Sequence, residues 1–191
     1  MKTLILAEKP SVGRDLARVL GCKQRAKGYL EGKDYVVTWA LGHLVTLAEP
    51  KDYQSNWQHW NLDYLPMLPD KLKIKIIRKT SQQMQVIKKL CKRQDLQELV
   101  IATDAGREGE LVARWIIQKT SWKNKPLKRL WISSQTKKAI LEGMQNLSPA
   151  QKYQPLYRAA VCRAEADWLV GLNVTRALTC KFEAQLNAGR V

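Results

Sequence analysis

Two short apolar runs constrain this chain more than any other feature. Thr3–Ala7 (TLILA) and Leu99–Thr103 (LVIAT) each end against an acid, Glu8 and Asp104 respectively. Each is also followed by a helical pattern. After the first, Pro10 suits an opening helical turn, Val12, Leu16, Val19 and Leu20 share one face, and Gly21 is the stop. After the second, Glu108–Lys119 has helical periodicity. Between and beyond them, residues 34–41 (DYVVTWAL) predict a strand. It is paired in a hairpin with Tyr29–Leu30 across the turn Glu31–Asp34. Lys71–Ile77 alternates basic and apolar residues as a half-exposed strand does, and residues 80–93 are helical in pattern. Arg129–Ile132 reads as a strand and Thr136–Gln145 as a helix. Strands alternating with helices predict an α/β fold with a mostly parallel sheet flanked by helices.

Two stretches depart from this alternation. Residues 48–70, rich in Pro, Asp, Asn and aromatics without a clear period, read as an irregular insertion. From Pro149 to about Cys180 there is no strand signal. Leu156, Ala160, Ala164, Asp167 and Gly171 recur there at helical spacing, so an all-helical segment follows the α/β part. The expected division is a domain over 1–148 and a helical start of a second over 149–191. The apolar face of that second part has no partner visible in the sequence.

Charge narrows the partners. Thirty-three Lys and Arg stand against 17 Asp and Glu, a net charge of +16, so the chain gathers polyanions. The basic residues are spread throughout (Lys71, Lys73, Lys75, Arg78; Lys88, Lys89, Lys92, Arg93; Lys123, Lys125, Lys128, Arg129) instead of forming a tail. Nucleic acid is therefore favoured over an anionic membrane. No segment approaches the roughly 18 consecutive apolar residues of a membrane span. The N-terminal apolar run stops at Glu8 and Lys9, short of the roughly 7–15 residues of a signal-peptide core. The expected setting is the cytoplasm, associated with the nucleoid. Cys22, Cys91, Cys162 and Cys180 are scattered, with no C-x-x-C pair, which argues for reduced thiols and against a zinc site.

Ligands of open parallel sheets bind beyond the C-terminal ends of the strands. If the two acid-terminated strands are neighbours, Glu8, Asp104 and Glu108 converge on one edge. Mg²⁺ is typically bound by one or two such carboxylates together with water and substrate phosphate. Lys9 and Arg107, interleaved with the acids, moderate their repulsion and can meet a phosphate. Gly106 and Gly109 are expected to let backbone approach closely. A second reading needs no metal: Glu108 and Glu110 suit the first turn of a helix, and Glu8 is then a loop residue. Spacing alone leaves both open.

Glu8-Lys9-Pro10-Ser11 after a first strand, with Asp104-x-x-x-Glu108-Gly-Glu110 far downstream, resembles the Toprim domain, a Rossmann-like fold of topoisomerases, primases and some nucleases. Three further stretches extend the resemblance: Gly42-His43-Leu44, Trp131-Ile132-Ser133-Ser134-Gln135-Thr136, and Arg163-x-x-x-Asp167-Trp168-Leu169-x-Gly171-x-Asn173-x-Thr175-Arg176. Together they are similar to type IA DNA topoisomerases of the topoisomerase III kind, over essentially the whole chain. Such enzymes cut one DNA strand through a tyrosine, pass another strand, and reseal without ATP, relaxing or decatenating DNA. The resemblance implies that Glu8 is a catalytic acid or metal ligand and that Lys9 stabilises the scissile phosphate. It places Asp104 and Glu108 at the first and third positions of an Asp-x-Asp-x-Glu metal triad. Gly106 occupies the middle position, so the role of the absent acid falls to Glu110, Glu8 or water, and one Mg²⁺ is held loosely. Arg163, Asp167 and Arg176 correspond to the lining of a single-stranded DNA groove. Surface ion pairs are the alternative for both arginines. His43 reads as a turn residue and Trp168 as core.

None of Tyr29, Tyr35, Tyr53, Tyr64, Tyr153 and Tyr157 has a setting resembling the nucleophile, and Asn187–Val191 resembles a longer motif cut short. The expectation is an N-terminal part of such an enzyme, inactive alone, binding single-stranded DNA and needing no small-molecule cofactor beyond a divalent metal. Two rivals stand beside it: a stand-alone Toprim metal-dependent nuclease, and a non-catalytic DNA-binding module.

Overall fold

A computed structural model describes residues 1–188; the end of the Asn187–Val191 motif lies outside them. The chain forms two compact units, one from residues 1–45 and 76–158, the other from 46–75 and from 159 onward.

In the first unit the strands are β1 (Lys2–Ala7), β2 (Gln24–Ala26), β3 (Tyr29–Glu31), β4 (Tyr35–Trp39), β7 (Leu96–Ala102), β8 (Leu127–Arg129) and β9 (Ser148–Pro149). They form one sheet in the order β2-β3-β4-β1-β7-β8-β9. Its centre, β4-β1-β7-β8, is parallel throughout, and the outer pairings are antiparallel. Two further short strands, β5 (Val45–Leu47) and β6 (Ile74–Ile76), pair with each other in a separate two-stranded sheet. The helices are α1 (Pro10–Val19), α2 (Ser81–Cys91), α3 (Arg107–Gln118), α4 (Lys137–Gln145) and α5 (Gln154–Phe182).

The central strands carry unbroken apolar runs because both faces of the sheet are covered. Leu4, Ile5, Leu6 and Ala7 are all fully buried. Ile5, Ala7, Val37, Val100 and Ala102 face Val12, Leu16 and Ala17 of α1 and Ile140 of α4. Alternate residues point the other way. There Gln83 of α2 donates to Thr38 Oγ1 of β4 at 3.2 Å, and Arg129 of β8 meets Glu110 of α3. The architecture is thus α/β, a central parallel sheet between helical layers, as the alternation predicted.

The differences are local. β8 covers Leu127–Arg129, so the predicted strand at Arg129–Ile132 lies too far along; only Arg129 belongs to it. β2 is exposed throughout and β9 has two residues, so neither carried an apolar signal. Residues 48–70 hold short 3-10 turns at Pro50–Asp52, Ser55–Gln58 and Leu62–Tyr64, in keeping with their lack of period.

That insertion has a purpose within the second unit: it covers the long helix. Trp168 Nε1 donates to the Ala48 carbonyl at 2.8 Å, and the Met67 N–H donates to Asn173 Oδ1 at 2.6 Å. The Arg176 guanidinium donates to the Trp57 carbonyl at 2.6 Å. The helix face that seemed partnerless in the sequence is packed by a segment about a hundred residues earlier in the chain. No helix among the described residues is long and apolar enough to cross a membrane.

Candidate active site

Register builds the site. Ala7 of β1 pairs with Trp39 of β4 on one side and Ala102 of β7 on the other, so the three strands end at one level. The next residues, Glu8-Lys9 and Thr103-Asp104, are delivered side by side. The Asp104 backbone N–H donates to Glu8 Oε2 at 2.9 Å. Two acids 96 residues apart in sequence thus share one rim. Asp104, Arg107, Glu108 and Lys9 are exposed there and Glu8 is half-buried. Neither Lys9 nor Arg107 has a carboxylate partner among the described residues, so both cations are free to meet an anion.

The loop that carries Asp104 is shaped by Gly109. A Cβ at Gly109 would lie 2.0 Å from the Asp104 carbonyl oxygen, which no side chain can occupy without displacing the backbone. Gly106 differs from expectation. Its φ of −179° is extended backbone open to any residue, and a Cβ there would meet nothing within 4 Å. It is the N-cap of α3 without a side-chain cap. Glycine here is not required for any close approach of the backbone.

Glu110 does stand in the first turn of α3, as one reading had it, but not at the rim. It is fully buried, and Oε1 accepts from Arg129 Nε at 2.7 Å while Oε2 accepts from Arg114 Nε at 2.9 Å. A carboxylate held by two guanidiniums inside the protein cannot take over the absent acid's role at the rim. Its function is to hold Arg129, which is itself fully buried. Burial pulls the Arg129 pKa down, and the Glu110 charge opposes that pull. The same guanidinium donates to the carbonyls of Thr103 at 2.8 Å, Leu130 at 2.7 Å and Asp104 at 2.7 Å. Glu110–Arg129 is thus an internal post that fixes the backbone on which Asp104 stands. Sequence reasoning missed it because one Arg among 33 basic residues carries no mark of burial. Above it, Trp131 lies over the Arg129 guanidinium, 5.0 Å from carbon to ring centroid, and stacks on Tyr153 at 4.5 Å.

A cavity of about 270 Å³ opens beside Asp104, lined by Thr103, Ala105, Ser133, Ser134 and Gln135 among others. Most of the Trp131–Thr136 motif therefore faces the rim. His43 follows Gly42, whose φ of +77° is the left-handed turn its neighbour suggested.

The remaining predicted residues lie in the second unit. Arg163 and Asp167 are exposed one turn apart on α5, with Nε and Oδ2 4.0 Å apart. Arg176 is 7% exposed, and its guanidinium serves the Trp57 carbonyl and lies 5.3 Å from the Trp60 ring centroid. Burial lowers its pKa. It is turned inward as a packing clamp, so the expected phosphate contact, and the alternative surface ion pair, both give way to burial. Trp168 is core, as read.

The Toprim domain profile matches residues 3–135, most of the chain and all of this rim. The chain belongs to the Toprim family. Among curated proteins, this Toprim chain is 61% identical over 190 residues to DNA topoisomerase 3 of Bacillus subtilis, and equally so to that of Bacillus licheniformis. Each alignment covers 100% of this chain but 26% of the relative, so the chain spans about a quarter of their length. Among solved structures it resembles full-length topoisomerase I from Thermotoga maritima, with a TM-score of 0.66 and 23% identity over 98% of this chain and 28% of that one. At that identity the likeness speaks to the fold.

All three rim acids offer carboxylate oxygens, which suits a hard divalent ion such as those Toprim domains generally bind. Among the described residues, no three His, Cys, Asp or Glu side chains gather closely enough to hold an ion by themselves. An ion here would have to complete its shell with water and substrate oxygen.

Proposed function

We propose that this Toprim chain supplies the metal and phosphate half of the active centre of a type IA DNA topoisomerase of the topoisomerase III kind. The observation that carries the reading is the 2.9 Å hydrogen bond from the Asp104 backbone N–H to Glu8 Oε2, which joins the ends of adjacent parallel strands, with Lys9 exposed beside them. Residues 1–148 form the catalytic domain in this reading, apart from residues 46–75, which belong with the long helix in the second unit, and residues 149–191 begin the next one.

The substrate is single-stranded DNA. A tyrosine from elsewhere in the whole protein attacks a backbone phosphorus. The phosphotyrosine bond forms as the tyrosine hydroxyl gives up its proton, the bond to the sugar oxygen breaks, and that oxygen takes a proton. A second strand passes, and the reverse reaction reseals the first without ATP. Lys9 places a compact positive charge against the developing phosphate charge. Glu8, with Oε2 occupied by the Asp104 N–H, uses its other oxygen to hold or donate the proton of the departing sugar oxygen. Asp104 and Glu108 would hold Mg²⁺, with Glu8 as a further ligand only while its free oxygen carries no proton. Bound there, the ion would neutralise phosphate charge and orient it. Arg107 and Arg163 meet the DNA backbone, and Asp167 positions Arg163.

The test joins this chain to the remainder of the protein, genetically or by mixing, and measures a covalent phosphotyrosine–DNA adduct. Adduct lost on Glu8→Ala or Lys9→Ala, and Mg²⁺ binding lost on Asp104→Ala, are the expected results. Metal-dependent free DNA ends made by this chain alone would replace the reading with a nuclease. Metal binding indifferent to Asp104→Ala would remove the metal assignment.

A further inference from the structure

We propose that the groove between α1 and the β2–β3 hairpin is a second nucleic-acid site, which takes a single DNA strand as it leaves the catalytic rim. The proposal rests on the reading that single-stranded DNA is the substrate at that rim. The groove has a volume of about 800 Å³ and lies wholly within the first unit.

Its chemistry is one-sided. Arg14, Arg18, Lys23 and Arg25 line it, and Asp15 is its one carboxylate. Asp15 is already ion-paired with Arg18. Arg14, Lys23 and Arg25 are exposed, and none has a hydrogen-bond or ion-pair partner among the described residues. Three uncompensated cations in one concavity repel each other, and the repulsion is relieved by an anion with several charges in a row. Arg14 and Arg18 stand one turn apart on α1, and Lys23 and Arg25 continue the line past its end. Arg14 and Arg18 lie about 6 Å apart along the helix axis, and together with Lys23 and Arg25 they present several separate cations in one groove, which fits a chain of phosphates better than a single phosphate group.

The floor distinguishes one strand from two. Tyr29 and Trp39, both half-buried, line the groove. α1 covers part of the indole, since a Cβ at Gly13 would sit 2.6 Å from Trp39 Cε3, so what a base can meet is Tyr29 and the uncovered remainder of Trp39. Aromatic faces in a basic groove accept the open faces of unpaired bases, which a duplex keeps stacked inside. The groove begins within two residues of the rim along the chain. Ser11 lines it, and two residues earlier Lys9 caps α1 at the site where Glu8 and Asp104 meet. A strand whose phosphate lies at Lys9 can therefore continue along α1 without leaving positive surface.

The experiment compares the chain with its Arg14→Gln/Lys23→Gln/Arg25→Gln variant. Fluorescence anisotropy follows a labelled oligothymidine of about 15 nucleotides across a salt series in EDTA, so that binding is read without rim metal. Single-strand contacts contribute a slope of about 0.7 each, so losing three should flatten the log affinity against log salt plot by about 2. At 0.1 M salt this is about a hundredfold weaker binding. Arg14→Glu alone should flatten the slope by at least one contact, which keeps the test open if the triple variant folds poorly. Ultraviolet cross-linking should attach the oligonucleotide to peptides containing Tyr29 or Trp39. An unchanged slope overturns the proposal, and so does equal competition by a duplex of the same length. Because the readout omits metal and cleavage, a failed adduct assay with an intact groove effect would refute the rim reading and leave this one standing.

Discussion

Arg129→Met tests whether the buried post holds the rim. The guanidinium and the Glu110 carboxylate are both fully buried and 2.7 Å apart. Removing Arg129 leaves Glu110 with Arg114 alone, and strips the donor from the Thr103, Leu130 and Asp104 carbonyls. Breaking a buried ion pair from one side costs about 3–5 kcal/mol, because the remaining charge stays desolvated. For a chain of this size each kcal/mol moves the melting temperature by about 2–4 °C, so the expected fall is about 6–20 °C. Thermal and urea unfolding of the chain measure it. Combining Arg129→Met with Glu110→Gln should cost less than the sum of the singles by about 1–3 kcal/mol, the signature of a coupled pair. Amide exchange adds a local readout. The Asp104 N–H, bonded to Glu8 at 2.9 Å, should lose protection once its own peptide is released. A melting shift below about 2 °C, or strictly additive singles, would refute the claim that this pair positions the rim.

The two glycines of the Asp104 loop should part company. Gly109→Ala forces a Cβ to 2.0 Å from the Asp104 carbonyl and should cost about 1–3 kcal/mol or more in unfolding experiments. Gly106→Asp meets open space at an uncapped helix start, so melting should hold or rise slightly while Mg²⁺ affinity, by titration calorimetry, increases. Glu31 supplies the acid limb of stability. Hydrogen bonds from Arg93, reinforced by Lys2, lower its pKa from 4.5 to about 2. Its contribution is therefore fully present above pH 4.5 and lost as pH falls toward 2, so the melting difference between wild type and Glu31→Gln should close over that window. On α5, Arg163→Ala should reduce the salt slope of single-strand binding by about 0.7, the share of one phosphate contact. Arg176→Ala should instead lower the melting temperature and leave that slope unchanged, because its guanidinium faces the Trp57 carbonyl.

The rim was legible from sequence because of a coincidence of patterns. Apolar runs with no polar interruption can only be strands covered on both faces or short helix pieces, and both runs stop at an acid. Parallel neighbours then carry those acids to the same edge. Gly106 and Glu110 show the limit of such reading. A glycine can relieve a clash, adopt a left-handed turn, or simply lack a side chain, and the letter is the same in all three cases. An acid in a first helical turn can face solvent or the interior, and only the packing of α3 against β8 turned Glu110 inward. Arg176 came from the resemblance, which names a position on the helix but not the neighbours its guanidinium faces, here the Trp57 carbonyl.

By itself the sequence determined the alternation of strands and helices, the positive field, and the pair of acids that follow the first and third parallel strands in chain order. These depend on local period and on charge, which survive without coordinates. Tertiary structure alone decided that Glu110 and Arg129 form an internal post, that residues 46–75 cover the long helix, and that three unpaired cations share one groove. The first two bring together residues well separated in sequence, the third depends on how the chain turns after α1, and whether a charge is solvated or buried is a property of its neighbours in space.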